Sequence, residues 1–166
     1  MSEWNGFRVV GAVEDDTAIN DSDLVTSLKK MLAEAYVLYH TIHGFHWNVE
    51  GVDFYEYHKM FDDIVADIYE NLDPIAENIR KLGASTPFTM SELVKLSDIK
   101  EVGLVSKEAK ELSKTFLNIN EQYIKNIKDV FKVANKDDEQ GIANFIAERI
   151  DNHQKYSWFL KASVEK

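Results

Sequence analysis

The chain has 166 residues, 45% hydrophobic and 29% charged, enough for one domain with a real core. Its formal net charge of −10 argues against direct DNA binding, because non-specific affinity for nucleic acid comes from cations that displace phosphate counterions. The absence of cysteine excludes disulfides and thiolate metal sites and leaves imidazole and carboxylate as ligands.

Residues 1–20 lack helical periodicity and carry Glu3, Glu14, Asp15 and Asp16 against one cation, Arg8. They read as a flexible acidic tail ahead of a folded domain at 21–166. No basic segment followed by an apolar run marks a signal peptide, so a cytoplasmic protein is expected. Asp21-Ser22-Asp23 offers an N-cap with acidic first-turn residues. Val25, Leu28, Leu32, Ala35, Tyr36 and Tyr39 then recur at three- and four-residue steps and predict a first helix to about Trp47. The stretch 48–53, containing Gly51, is a short connection.

A second helix is predicted from Phe54 to Leu82, on a stripe that includes Phe54, Tyr57, Phe61, Ile64, Ile68 and Ile75, with Gly83 as its stop. Pro74 inside it predicts a kink, since proline lacks a backbone donor and crowds the carbonyl of Glu70. Residues 84–105 form a long connection with Pro87 and a short helix at 91–96. Ser106 is the expected cap of a third helix to about Val133, and Asp137 and Asp138 open a fourth to about Ala162. Tyr36, Tyr39, Phe61 and Trp158 read as core rather than a redox relay, and His153, in a polar run, as surface. Four amphipathic helices with one long middle connection predict an all-α bundle. No run approaches the roughly 18 apolar residues of a membrane span, so no membrane partner is expected.

The informative feature is a set of metal-ligand types: His46, His58, Asp62, Asp73 and Glu77. Projected at 100° per residue from His58, Asp62 falls at about 40°, Asp73 at about 60° and Glu77 at about 100°. One face of the second helix carries all four. Along the axis, however, the His58/Asp62 and Asp73/Glu77 pairs are centred about 22 Å apart, too far for one ion. Both outer and inner residues mirror each other about a point between Asp67 and Ile68. An antiparallel crossing with a second copy at that point would set His58 and Asp62 of one chain against Asp73 and Glu77 of the other, the isologous arrangement commonest in homo-oligomers. His46 and His58 lie equally far from Val52 in the turn, so the antiparallel arms bring them side by side. Mixed imidazole and carboxylate ligation suits Fe(II), Zn(II) or Mn(II). Steps of three residues rotate His40, His43 and His46 by about 60° each, so the three cannot converge on one ion. His43 reads as a histidine near the core.

The run His46-Trp47-Asn48, followed by Gly51, Phe54, His58, Asp62, Asp73 and Glu77, resembles the ferroxidase motif of the Dps family, the starvation-inducible miniferritins. The likeness extends from about residue 24 to 162. It implies a ferritin-like four-helix bundle with a short extra helix in the long middle connection, assembled as a dodecameric shell with iron sites between twofold-related subunits. It also implies oxidation of Fe(II), preferably by hydrogen peroxide rather than oxygen, and storage of ferric mineral. Trp47 resembles the family's aromatic beside the ligands, which intercepts stray oxidant, though packing explains a tryptophan there almost as well. Acidic residues at the start of the last helix line an iron-access pore in relatives. Asp137, Asp138 and Glu139 match that place, but Asn144 stands where an aspartate is expected. Many relatives bind DNA through a lysine-rich tail, and neither end of this chain has one. Two alternatives are a structural or nucleoid-associated shell without useful turnover, and a bundle holding zinc or manganese at the same ligands.

Overall fold

The computed structural model describes residues 21–164, which form helices α1 (Asp23–Asn48), α2 (Phe54–Lys81), α3 (Met90–Leu96), α4 (Ala109–Lys136) and α5 (Gln140–Val164). The acidic tail at 1–20 lies outside the described residues. Helices α1, α2, α4 and α5 make the bundle: α1 packs against α2 and α4, α4 against α5, and α3 rests on α1. Leu28, Leu38, Ile42, Phe61, Phe116 and Ile146 are fully buried where these faces meet. Side chains of that size each contribute roughly 1.5–3 kcal/mol when removed from water.

The helix ends explain most of the boundaries. Ser22 Oγ accepts the Val25 N–H at 3.2 Å and starts α1 as the sequence predicts. At the end of α2, Gly83 adopts φ 83°. Its N–H bonds the Arg80 carbonyl (3.0 Å), while that of Ala84 reaches Ile79 (3.4 Å). This paired closure needs a left-handed residue, which glycine takes without a Cβ penalty. The helix runs through Pro74 from Phe54 to Lys81, so any distortion there does not end it.

Three boundaries differ from the sequence reading. α3 begins at Met90 because Thr89 and Glu92 form a reciprocal capping box. α4 begins at Ala109, not at Ser106: the Lys107 carbonyl accepts the Glu50 N–H at 2.9 Å, and Glu108 pairs in parallel with Glu50. That pairing holds the approach to α4 extended, and Ser106 Oγ only accepts the Glu108 N–H within it. Asp137, Asp138 and Glu139 close α4 instead of opening α5. Asp138 has φ 59°, and the Glu139 N–H reaches back to the Ala134 carbonyl at 2.9 Å.

Two side chains are placed opposite to expectation. His153 is buried, with its Nδ1 2.6 Å from Asn120 Oδ1 and its ring edge-on to Tyr123. Its neighbours in sequence are polar, but α5 turns it inward toward an amide that satisfies it. Trp158, expected in the core, is 65% exposed and lines an open groove of about 610 Å³ between α4 and α5. Phe61 is core as expected, whereas Tyr36 and Tyr39 are only partly buried.

Candidate metal centre

The α1–α2 hairpin brings His46 and His58 together, and the contact is reciprocal. His46 Nδ1 donates to the His58 carbonyl at 3.0 Å, and His58 Nδ1 donates to the His46 carbonyl at 2.9 Å. A carbonyl oxygen only accepts, so each Nδ1 carries the proton and each Nε2 keeps a lone pair. The rings stack with centroids 3.9 Å apart and planes at 21°. The lock also solves a local problem. His46 lies in the last turn of α1, where carbonyls lack intrahelical donors, and His58 supplies one.

Asp62, one turn beyond His58, joins this pair: its Oδ1 lies 4.0 Å from His46 Nε2. Lys59 also sits on Asp62, at 3.7 Å, and pairs with Asp63. Imidazole and carboxylate donors therefore collect at one end of the hairpin, donor types that suit a borderline first-row divalent cation without forming a closed ligand set within one chain. His43 stacks on Trp47, centroids 4.1 Å apart, and burial holds its pKa below the ordinary histidine value. Trp47 itself is 61% exposed.

Asp73 and Glu77 are not brought to this cluster. Both are exposed further along α2. Among the described residues, no three histidine, aspartate or glutamate side chains gather closely enough in a single chain to hold a metal ion. Asp137, Asp138 and Glu139 sit at the α4–α5 turn, where Asp138 Oδ1 accepts from Gln140 Nε2 at 3.0 Å. They lie on a different connection from the histidine pair.

The bundle interior carries polar groups that sequence reading missed. Arg149, 3% exposed, donates to Asp67 at 2.9 Å, and Asn152 donates to the same carboxylate at 3.2 Å. Glu34, 1% exposed, accepts from Asn126 at 2.8 Å with Lys30 4.0 Å away, and burial raises its pKa to about 7. A guanidinium beside one interior carboxylate and an amide beside the other disfavour a cation between them. The i, i+4 spacing of Arg149 and His153 on an otherwise apolar face was the signal available in the sequence.

A ferritin-like domain model matches residues 25–166, and the helical order above agrees with it. The class is therefore a ferritin-like four-helix protein with a short helix in its long connection. The DNA protection during starvation protein of Helicobacter pylori is 33% identical over 82% of this chain and 95% of its own length. The crystal structure of Helicobacter cinaedi CAIP superposes with a TM-score of 0.80 at 30% identity, covering 85% of this chain and 99% of that one. A Dps protein from Vibrio cholerae, described as a member of a broad superfamily of ferritin-like diiron-carboxylate proteins, gives 0.81 at 26% identity over 86% and 89%. The chain belongs to the Dps family of ferritin-like proteins. Among the described residues, no helix is long and apolar enough to cross a membrane.

Proposed function

We propose that this protein is a miniferritin. It oxidises Fe(II), with hydrogen peroxide preferred over oxygen, at sites shared by twofold-related subunits, and it stores the ferric product inside a dodecameric shell. The observation that carries the reading is the reciprocal histidine lock, which leaves both Nε2 lone pairs free, that of His46 lying 4.0 Å from Asp62. Closing the end of α1 accounts for the His58 tautomer alone, whereas ligation accounts for both imidazoles being fixed in that tautomer. Asp73 and Glu77, mirror-spaced on the same face of α2, complete the set from a second copy. Family membership and the isologous logic of such a crossing support this assembly.

Iron is substrate here. His46, His58 and Asp62 hold Fe(II) loosely enough for the oxidised ion to move on, and Lys59 withdraws from Asp62 as the cation arrives. Two Fe(II) ions give two electrons to one peroxide, and two protons complete two waters, so no hydroxyl radical is released. The acidic tail and the net charge of −10 favour cation traffic over DNA binding.

Light scattering on the purified protein and an anaerobic Fe(II) titration with stoichiometric peroxide test the proposal. A species near twelve subunits, fast ferric absorbance and a soluble mineral are the expected results. Slow oxidation with precipitation overturns the ferroxidase reading, and zinc or manganese retained through the iron titration overturns the choice of metal.

A further inference from the structure

Tyr69 stands on the ligand face of α2, about 20° from His58 in projection, and within two residues of the point about which the ligands mirror. It is 61% exposed, so core packing does not account for it. A continuous set of rings leads from it to the ligands. Tyr69 and Tyr39 are 5.5 Å apart between centroids, Tyr39 and His43 5.3 Å, and His43 and His46 5.9 Å. Trp47 branches from His43 at 4.1 Å. Electron tunnelling weakens exponentially with distance, and rings in near contact provide the shortest steps along the hairpin.

We propose that Tyr39 and Tyr69, joined to the ligands through His43, form a one-electron relay from the iron site to the twofold axis and, through the second copy's Tyr69, to the twin site. The proposal rests on the shared-site reading above. An antiparallel crossing at the mirror point sets the two Tyr69 positions only about 4.5 Å apart along the helix axis, on facing helices.

The relay solves an electron-counting problem. Peroxide needs two electrons to become two waters, and a site holding one Fe(II) supplies one. Without a second donor, the O–O bond breaks to hydroxide and hydroxyl radical. With the relay, one peroxide, one Fe(II), one phenol and one proton yield Fe(III), two waters and a neutral tyrosyl radical, the phenolic proton leaving to solvent. Fe(II) at the twin site then reduces the radical, which takes a proton back from water. The sum is one peroxide, two Fe(II) and two protons to two Fe(III) and two waters.

Two experiments decide it. In metal-free protein carrying Trp4→Phe and Trp158→Phe, azide radical oxidises Trp47. The tryptophanyl absorbance should pass to tyrosyl absorbance at a rate independent of protein concentration, and at least tenfold more slowly with Tyr39→Phe. Equal rates in the two proteins overturn the relay. In the second, protein loaded with one Fe(II) per ligand set receives one peroxide per two iron ions, followed by spin trapping and freeze-quench EPR. The unaltered protein should give a transient tyrosyl signal and no hydroxyl adduct. Tyr39→Phe should bind the same Fe(II) yet lose that signal and release hydroxyl radical, whereas Tyr69→Phe should keep a Tyr39 radical that Fe(II) at the twin site no longer quenches. Adduct-free turnover in Tyr39→Phe, or an equally short-lived radical in Tyr69→Phe, overturns the relay and leaves the ferroxidase reading standing. Failure of the unaltered protein to oxidise iron removes that reading, and the coupling of sites with it.

Discussion

His46 and His58 differ from an ordinary pair of half-exposed histidines because each Nδ1–H is committed to the other's main-chain carbonyl. Loss of an outer partner of this kind costs roughly 10–100-fold in metal affinity. His46→Ala removes a ligand as well as a partner. Fe(II) binding by the single variant should therefore fall by more than about a hundredfold, measured by anaerobic titration.

Two buried residues away from the centre govern the response to pH. Glu34 has its pKa raised from 4.5 to about 7 by burial, so the folded state holds its proton more tightly than the unfolded chain does. Its contribution is fully present below 4.5 and is lost as pH rises through about 7. His153 has its pKa lowered from 6.5 to about 3, by burial first and then by the Arg149 charge. Its contribution is present above 6.5 and is lost as pH falls toward about 3. Between 4.5 and 6.5 the two trends oppose each other. Glu34→Gln should raise stability at pH 8 by about 2 kcal/mol, make little difference at pH 4, and flatten the loss between them. Urea midpoints across that range measure it, and a parallel profile in the variant would contradict the assignment.

At the scale of elements, α2 is organised around Asp67, next to the mirror point of its ligands. Arg149 and Asn152 of α5 both bond that carboxylate, so α5 fixes how α2 is rotated in the bundle. Removing one partner of a buried pair leaves a charge uncompensated. Arg149→Leu should cost about 3 kcal/mol, the lower end for such pairs because Asp67 is partly exposed. The α4–α5 turn sets a second test. Asp138 occupies the left-handed position at φ 59° that glycine takes at the end of α2. Asp138→Gly should therefore be neutral or stabilising by up to about 1 kcal/mol in thermal unfolding. A clear loss of iron uptake in that variant, with the fold intact, would favour the pore role of this turn.

For the whole molecule, the decisive prediction concerns two chains. His46→Ala and Asp73→Ala should each abolish rapid oxidation and leave assembly unchanged. Mixed shells should regain activity, because a dimer of one variant with the other places both defects in one site and leaves its twin intact. Co-refolded mixtures compared with each variant alone measure this, and no recovery would show that the ligands do not come from separate chains.

Much of this architecture was legible in the chain. The helical steps from Val25 to Tyr39, the stripe of α2 and the stop at Gly83 depend on local propensity, and the structure follows them. The meeting of His46 with His58 followed from their equal distance from the turn. Ser106 misled because the cap was judged from its own residue type, while the extended pairing of Glu50 with Lys107 and Glu108 joins segments far apart in sequence. Thr89 and Glu92, three residues apart, are a capping box legible in the sequence. His153 and Trp158 exchanged their expected places because the rotation of α5 is set by Asp67 and Asn120 on other helices.

The sequence by itself determined the helices, the single face of α2 that carries four ligand-type side chains, and the exclusion of thiolate chemistry, since periodicity and composition are local properties. The tertiary structure alone decided the imidazole tautomers, the interior charges at Glu34 and Arg149, and the ring contacts between Tyr39 and Tyr69. Those depend on distances between residues from different helices, which no spacing along one chain encodes.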